Sequence, residues 1–136
     1  MQITVSQHQG RVPVMVIQPH GDVDASNYTE LINQVRKLYE EGAPDFLIDL
    51  GEVPFMSSAG LVALHSLAMF LRGEPLAGSQ PAPGGLKSLD RTRAGGIQQH
   101  IKLLGPQPFV AETLDKAGFT QSFEVHSDLQ KAVASF

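Results

Sequence analysis

Phe46-Leu47-Ile48-Asp49-Leu50-Gly51-Glu52-Val53-Pro54-Phe55-Met56-Ser57-Ser58-Ala59-Gly60-Leu61 holds a strand, a turn and the mouth of a helix in one short stretch. Phe46 to Leu50 is an apolar run bounded by Pro44 and Gly51, the pattern of a buried strand. After the turn, apolar residues dominate from Leu61 to Leu71, which predicts a helix over roughly Ser58 to Arg72. Backbone N–H groups at a helix start lack intrahelical partners and carry about half a positive charge, so an anionic group is favoured there. Ser58 stands at that position and is the residue whose purpose most needs explaining.

Working outward, the next secure element lies upstream. Tyr28, Leu31, Ile32, Val35, Leu38 and Tyr39 recur at spacings of three and four and share one helical face. Ser26 or Asn27 is the expected N-cap, with Glu30 placed as in a capping box, and Gly42 and Pro44 mark the stop. Asp24 reads as part of that cap. Before it, Ile3 to Val5 and Val12 to Ile17 are β-rich runs around a Gln7-His8-Gln9-Gly10 turn, predicting a hairpin whose second strand begins near Pro13.

Downstream, His100 to Leu104 reads as a strand closed by Gly105-Pro106. Phe109, Val110, Thr113, Leu114 and Ala117 then recur at helical spacing up to Gly118. Phe119 to Val125 is read as a last strand, and Ser127 or Asp128 as the cap of a final helix carrying Leu129, Ala132 and Val133. In the second helix, Leu61, Leu64, Ala68 and Leu71 form the expected core seam, with Val62, Met69 and Phe70 away from it. Residues 73–96 hold nine Gly or Pro and no periodicity, and read as a flexible, mildly basic insertion.

The order β-β-α-β-α-β-α-β-α predicts a single α/β domain over residues 1–136. Its sheet is mixed and mostly parallel, opens with an antiparallel hairpin, and has helices packed against it. At 136 residues the chain is long enough for one core without staples. It contains no cysteine, which excludes disulfides and thiolate metal sites and suits a reducing compartment. His8, His20, His65, His100 and His126 show no ligand-like pairing, so no metal or other cofactor is expected. Ten Lys plus Arg against fourteen Asp plus Glu give a net charge of −4, which disfavours direct nucleic-acid binding. No apolar stretch approaches the length of a membrane span, and Met1 to His20 lacks the pattern of a secretory signal; a cytoplasmic, unprocessed protein is expected.

Strand-turn-serine-helix is also the layout of a hydrolase nucleophile elbow. Gly-x-Ser-x-Gly centred on Ser58 requires glycine at Met56, and centred on Ser57 it requires glycine at Phe55 and Ala59. No catalytic residue is assigned. Gly84-Gly85-Leu86-Lys87-Ser88 likewise lacks the spacing of a phosphate-binding loop.

The chain resembles the STAS family, the sulphate transporter and anti-sigma-factor antagonist domain. The resemblance rests on the Phe46 to Leu61 stretch, on Gly21-Asp22-Val23-Asp24 before the first helix, and on Asp115-Lys116-Ala117-Gly118-Phe119 at the end of the third. It implies an anti-sigma-factor antagonist whose partner is an anti-sigma factor with serine kinase activity, switched by phosphorylation of Ser58. Asp22, Asp24, Ser57, Ser58 and Gly60 then form the partner surface, with Asp24 also orienting the Ser58 region. The family pattern most often has Asp where Ser57 stands, which leaves Ser57 as a second candidate target. The alternative the resemblance leaves open is a nucleotide- or small-ligand-binding module, or a scaffold subunit of a sensory or transporter complex.

Overall fold

A computed structural model describes residues 1–72 and 98–136; the insertion expected at 73–96 lies outside the described residues. Strands β1 (Gln2–Gln9) and β2 (Pro13–His20) pair antiparallel. They are followed by α1 (Tyr28–Glu40), β3 (Phe46–Asp49), α2 (Ser58–Leu71), β4 (Ile101–Leu104), α3 (Pro108–Lys116), β5 (Val125–His126) and α4 (Leu129–Ala134). The sheet order is β1-β2-β3-β4-β5, with every pair after the first parallel. The expected architecture is therefore the observed one.

Because successive strand residues face opposite sides of a sheet, the two faces have separate cores. Ile17, Phe46, Ile48, Ile101 and Leu103 bury one face against α1, α2 and α3. Val14, Val16, Leu47 and Leu104 bury the other beneath Ala132 and Val133 of α4. The middle strand β3 has Phe46, Leu47 and Ile48 all fully buried, which explains its unbroken apolar run.

Several local expectations are corrected. The hairpin strands extend through Gln9 and His20, so the turn shrinks to residues 10–12. There is no capping box at α1: Asn27 makes no side-chain cap bond, and Glu30 instead takes the Met1 ammonium at 3.1 Å. The second-helix seam shifts, with Ala63, Leu64, Leu67, Ala68 and Leu71 buried and Leu61 only half-buried. Met69 is also buried. Phe70 packs edge-on against Tyr39 of α1, with ring centroids 5.0 Å apart.

Phe119 to Val125 is not one strand. Gly118, at φ 81, turns the chain into a 3-10 turn over Phe119–Gln121, and the Phe119 and Phe123 rings stack at 5.4 Å before β5 begins. Two aromatic rings buried on one side override the β-rich composition of the segment. Asp128, rather than Ser127, caps α4 through the Lys131 N–H.

Candidate functional site

The site forms where the parallel strands end. β2 stops at His20 and the chain turns at Gly21, whose φ of 95 suits glycine. Gly21 N–H then donates to the Glu52 carbonyl, Val23 N–H to that of Phe55, and Ser57 N–H to that of Val23, all at 2.9 to 3.0 Å. The last two bonds flank a parallel bridge between Val23 and Met56, both buried in the core. This extension of the sheet brings two segments, more than thirty residues apart in sequence, side by side. Val23 points inward, so its neighbours Asp22 and Asp24 face the opposite side of the bridge.

Residues 22–27 are clasped by their own side chains. Asn27 accepts from Asp24 N–H at 3.0 Å and donates to the Asp22 carbonyl at 2.9 Å. The Asp24 carboxylate accepts from both the backbone and the hydroxyl of Ser26, and these bonds hold its pKa below the ordinary carboxylate value. Its carbonyl also receives Asn27 and Tyr28 N–H. The side chain of Asp24 thus shapes the entrance to α1, while that of Asp22 is free for the surface, where the residue is exposed.

The two serines differ. Ser57 has extended backbone (φ −82, ψ 178) and is the N-cap, its hydroxyl accepting from Ala59 N–H at 3.2 Å and its carbonyl from Leu61 N–H. Ser58 is the first helical residue and is exposed, and its hydroxyl takes no part in the cap. Gly60 is buried. A Cβ there would lie 2.4 Å from Met56 Cγ and 3.2 Å from the Val23 carbonyl, so glycine is what allows α2 to sit directly on the Val23–Met56 bridge. Four of the five predicted site residues therefore reach the surface, and Gly60 supports them from beneath.

The turn between β3 and α2 is anchored on its other flank as well. Asp49 accepts from Gly51 N–H at 2.9 Å and from Gln18 at 3.0 Å. Gln107, the residue before α3, donates to the Gly51 carbonyl at 3.0 Å. Phe109 of α3 stacks on Phe55 with ring centroids 5.7 Å apart, and both rings remain largely in solvent. Sequence reasoning missed this pair, because Phe109 falls on the apolar repeat of α3. Phe55 carried no periodic signal at all.

A cavity of about 460 Å³ lies at the other end of the sheet, beside Asp45, His100, Lys102 and Phe136, and contains none of the predicted site residues. Among the described residues no group of three or more His, Asp or Glu is placed to hold a metal ion. No described helix is long and apolar enough to cross a membrane.

A mixed five-stranded sheet whose third strand leads through a short turn to a serine at a helix mouth defines a compact α/β domain class. The model of the STAS domain matches residues 3–74, and the chain belongs to that family. No curated protein matches it significantly. Among solved structures it is similar to an anti-sigma factor antagonist from Mycobacterium paratuberculosis, at 17% identity and a TM-score of 0.68, over 98% of this chain and 92% of that one. A putative anti-sigma factor antagonist from Thermotoga maritima gives 13% identity and a TM-score of 0.64, over 96% and 90%. The anti-sigma factor antagonist SpoIIAA in its unphosphorylated form gives 12% and 0.53, over 96% and 93%. Identities this low establish a common fold.

Proposed function

We propose that this chain is a cytoplasmic anti-sigma-factor antagonist that acts by protein–protein binding and has no catalytic activity of its own. In this reading a single STAS domain spans residues 1–136. The observation that carries it is the division of labour at the mouth of α2: Ser57 caps the helix, and the Ser58 hydroxyl is left exposed. The fold shared with anti-sigma factor antagonists supports the same reading.

The partner is an anti-sigma factor that is also a serine kinase. It transfers the γ-phosphoryl group of ATP to Ser58 Oγ: a new O–P bond forms, the bond to the ADP leaving group breaks, and the hydroxyl proton passes to a base of the kinase. The product carries about −1.5 to −2 charge at pH 7. The helix N-terminus favours that charge by roughly 0.3–1 kcal/mol, so the fold survives modification. The partner contact does not, because a surface formed around a neutral hydroxyl must now desolvate a dianion. A penalty of about 3 kcal/mol lowers affinity more than a hundredfold.

The test is capture of partners from the native cell by wild-type, Ser58→Ala and Ser58→Asp proteins, with phosphosite mapping by mass spectrometry. Ser58→Ala is expected to retain an anti-sigma factor and to resist phosphorylation, while Ser58→Asp releases it. Phosphate found on Ser57 alone, or equal retention by both variants, overturns the reading.

A further inference from the structure

We infer that the partner docks on the stacked rings of Phe55 and Phe109, through an apolar socket bordered by basic side chains. The inference rests on the reading of Ser58 above and adds to it the chemistry of the partner's face. Phe55 and Phe109 are 41% and 55% exposed, come from different elements and hold each other at 5.7 Å. Their supports are firm: the Phe55 carbonyl is bonded to Val23, and Gln107, two residues before Phe109, is bonded to Gly51. Rigid, half-exposed aromatic side chains lose little entropy on binding and are the residue type that most often dominates a protein interface. Val62, 47% exposed, lies one turn beyond Ser58 on the same face of α2 and extends the apolar surface. Ser58 is thus placed between Phe55 and Val62 along the chain, beside apolar surface on both sides.

Charge defines the border. The loops at this end of the sheet, residues 21–27, 50–57 and 105–107, carry Asp22, Asp24 and Glu52 and no Lys or Arg. Asp22 and Glu52 are exposed, and among the described residues neither forms an ion pair. A surface complementary to this one is apolar at its centre and basic at its edge.

The experiment uses the anti-sigma factor that wild-type protein retains and Ser58→Asp releases, purified and titrated calorimetrically at low and high salt. Phe55→Ala and Phe109→Ala are expected to weaken binding at least tenfold at both salt concentrations, with Phe109→Leu recovering most of the loss. Glu52→Gln should weaken binding at low salt only. Circular dichroism of each variant checks the fold, and Phe109→Gln serves as a second surface change if an alanine variant is unstable. Binding of the Phe55 and Phe109 variants within twofold of wild type, while Ser58→Asp is still released, overturns the inference and leaves the reading of Ser58 intact. A partner that does not distinguish Ser58 from Asp at that position overturns both.

Discussion

Ser57 and Ser58 are adjacent and chemically identical, yet one position along a helix start separates a structural hydroxyl from an available one. The N-cap hydroxyl satisfies a backbone donor, and its loss costs about 1 kcal/mol. Ser57→Ala is therefore expected to lower stability by about that amount in urea titration, while Ser58→Ala stays within about 0.5 kcal/mol of wild type. Equal effects would mean that the cap has been assigned to the wrong serine. Gly60 obeys a different constraint. Its missing Cβ makes room for Met56 and the Val23 carbonyl, so Gly60→Ala should cost about 1–3 kcal/mol despite alanine's better helix propensity. The sign is diagnostic, since relief of glycine's helix penalty alone would make the substitution stabilising.

At the scale of elements, α4 is the piece least able to hold itself, being only six residues long. Lys102 of β4 fastens it. Its ammonium, almost fully buried, donates to the carbonyl and hydroxyl of Ser135 at 2.8 and 3.0 Å and pairs with Glu124 at 3.1 Å, while the Phe136 ring lies 4.7 Å away. Burial pushes the Glu124 pKa up, but its bonds to Lys102 and His126 outweigh that and leave it below the ordinary glutamate value. A carboxylate depressed in the folded state stabilises fully above its unfolded pKa, and that contribution is lost as pH falls through the folded one. Asp24 has the same direction of shift. Stability should thus decline with acidification below about pH 4.5, and Glu124→Gln should flatten the decline in denaturant midpoints measured from pH 6 to pH 3. A steeper fall in that variant would contradict the pairing.

For the molecule as a whole, the sheet divides stability unevenly. β3 is flanked by neighbours on both sides and buried on both faces, whereas β5 is a two-residue edge strand beside the shortest helix. Hydrogen exchange should be slowest at Leu47 and Ile48 and fastest, among the named elements, in β5 and α4. Uniform protection across the sheet would argue against this ranking. The site sits at the well-protected end of β3, on loops bonded to one another from three directions. Its surface is therefore already formed before any partner arrives, which keeps the ordering cost of binding low.

The chain's order of elements and the serine at a helix mouth were legible in sequence, since both depend on local periodicity and on residues a few positions apart. The 3.6-residue repeat of α1, the apolar block of β3 and the Gly42, Gly105 and Gly118 stops needed no tertiary knowledge. What tertiary structure alone decided was which distant segments touch: Val23 against Met56, Glu30 on the N-terminus, Phe55 under Phe109. The capping box failed because a distant ammonium took Glu30, and the last strand because Phe119 and Phe123 stack on each other within the segment after the Gly118 turn. Local patterns record what a segment can form, and packing across the sheet selects among those options.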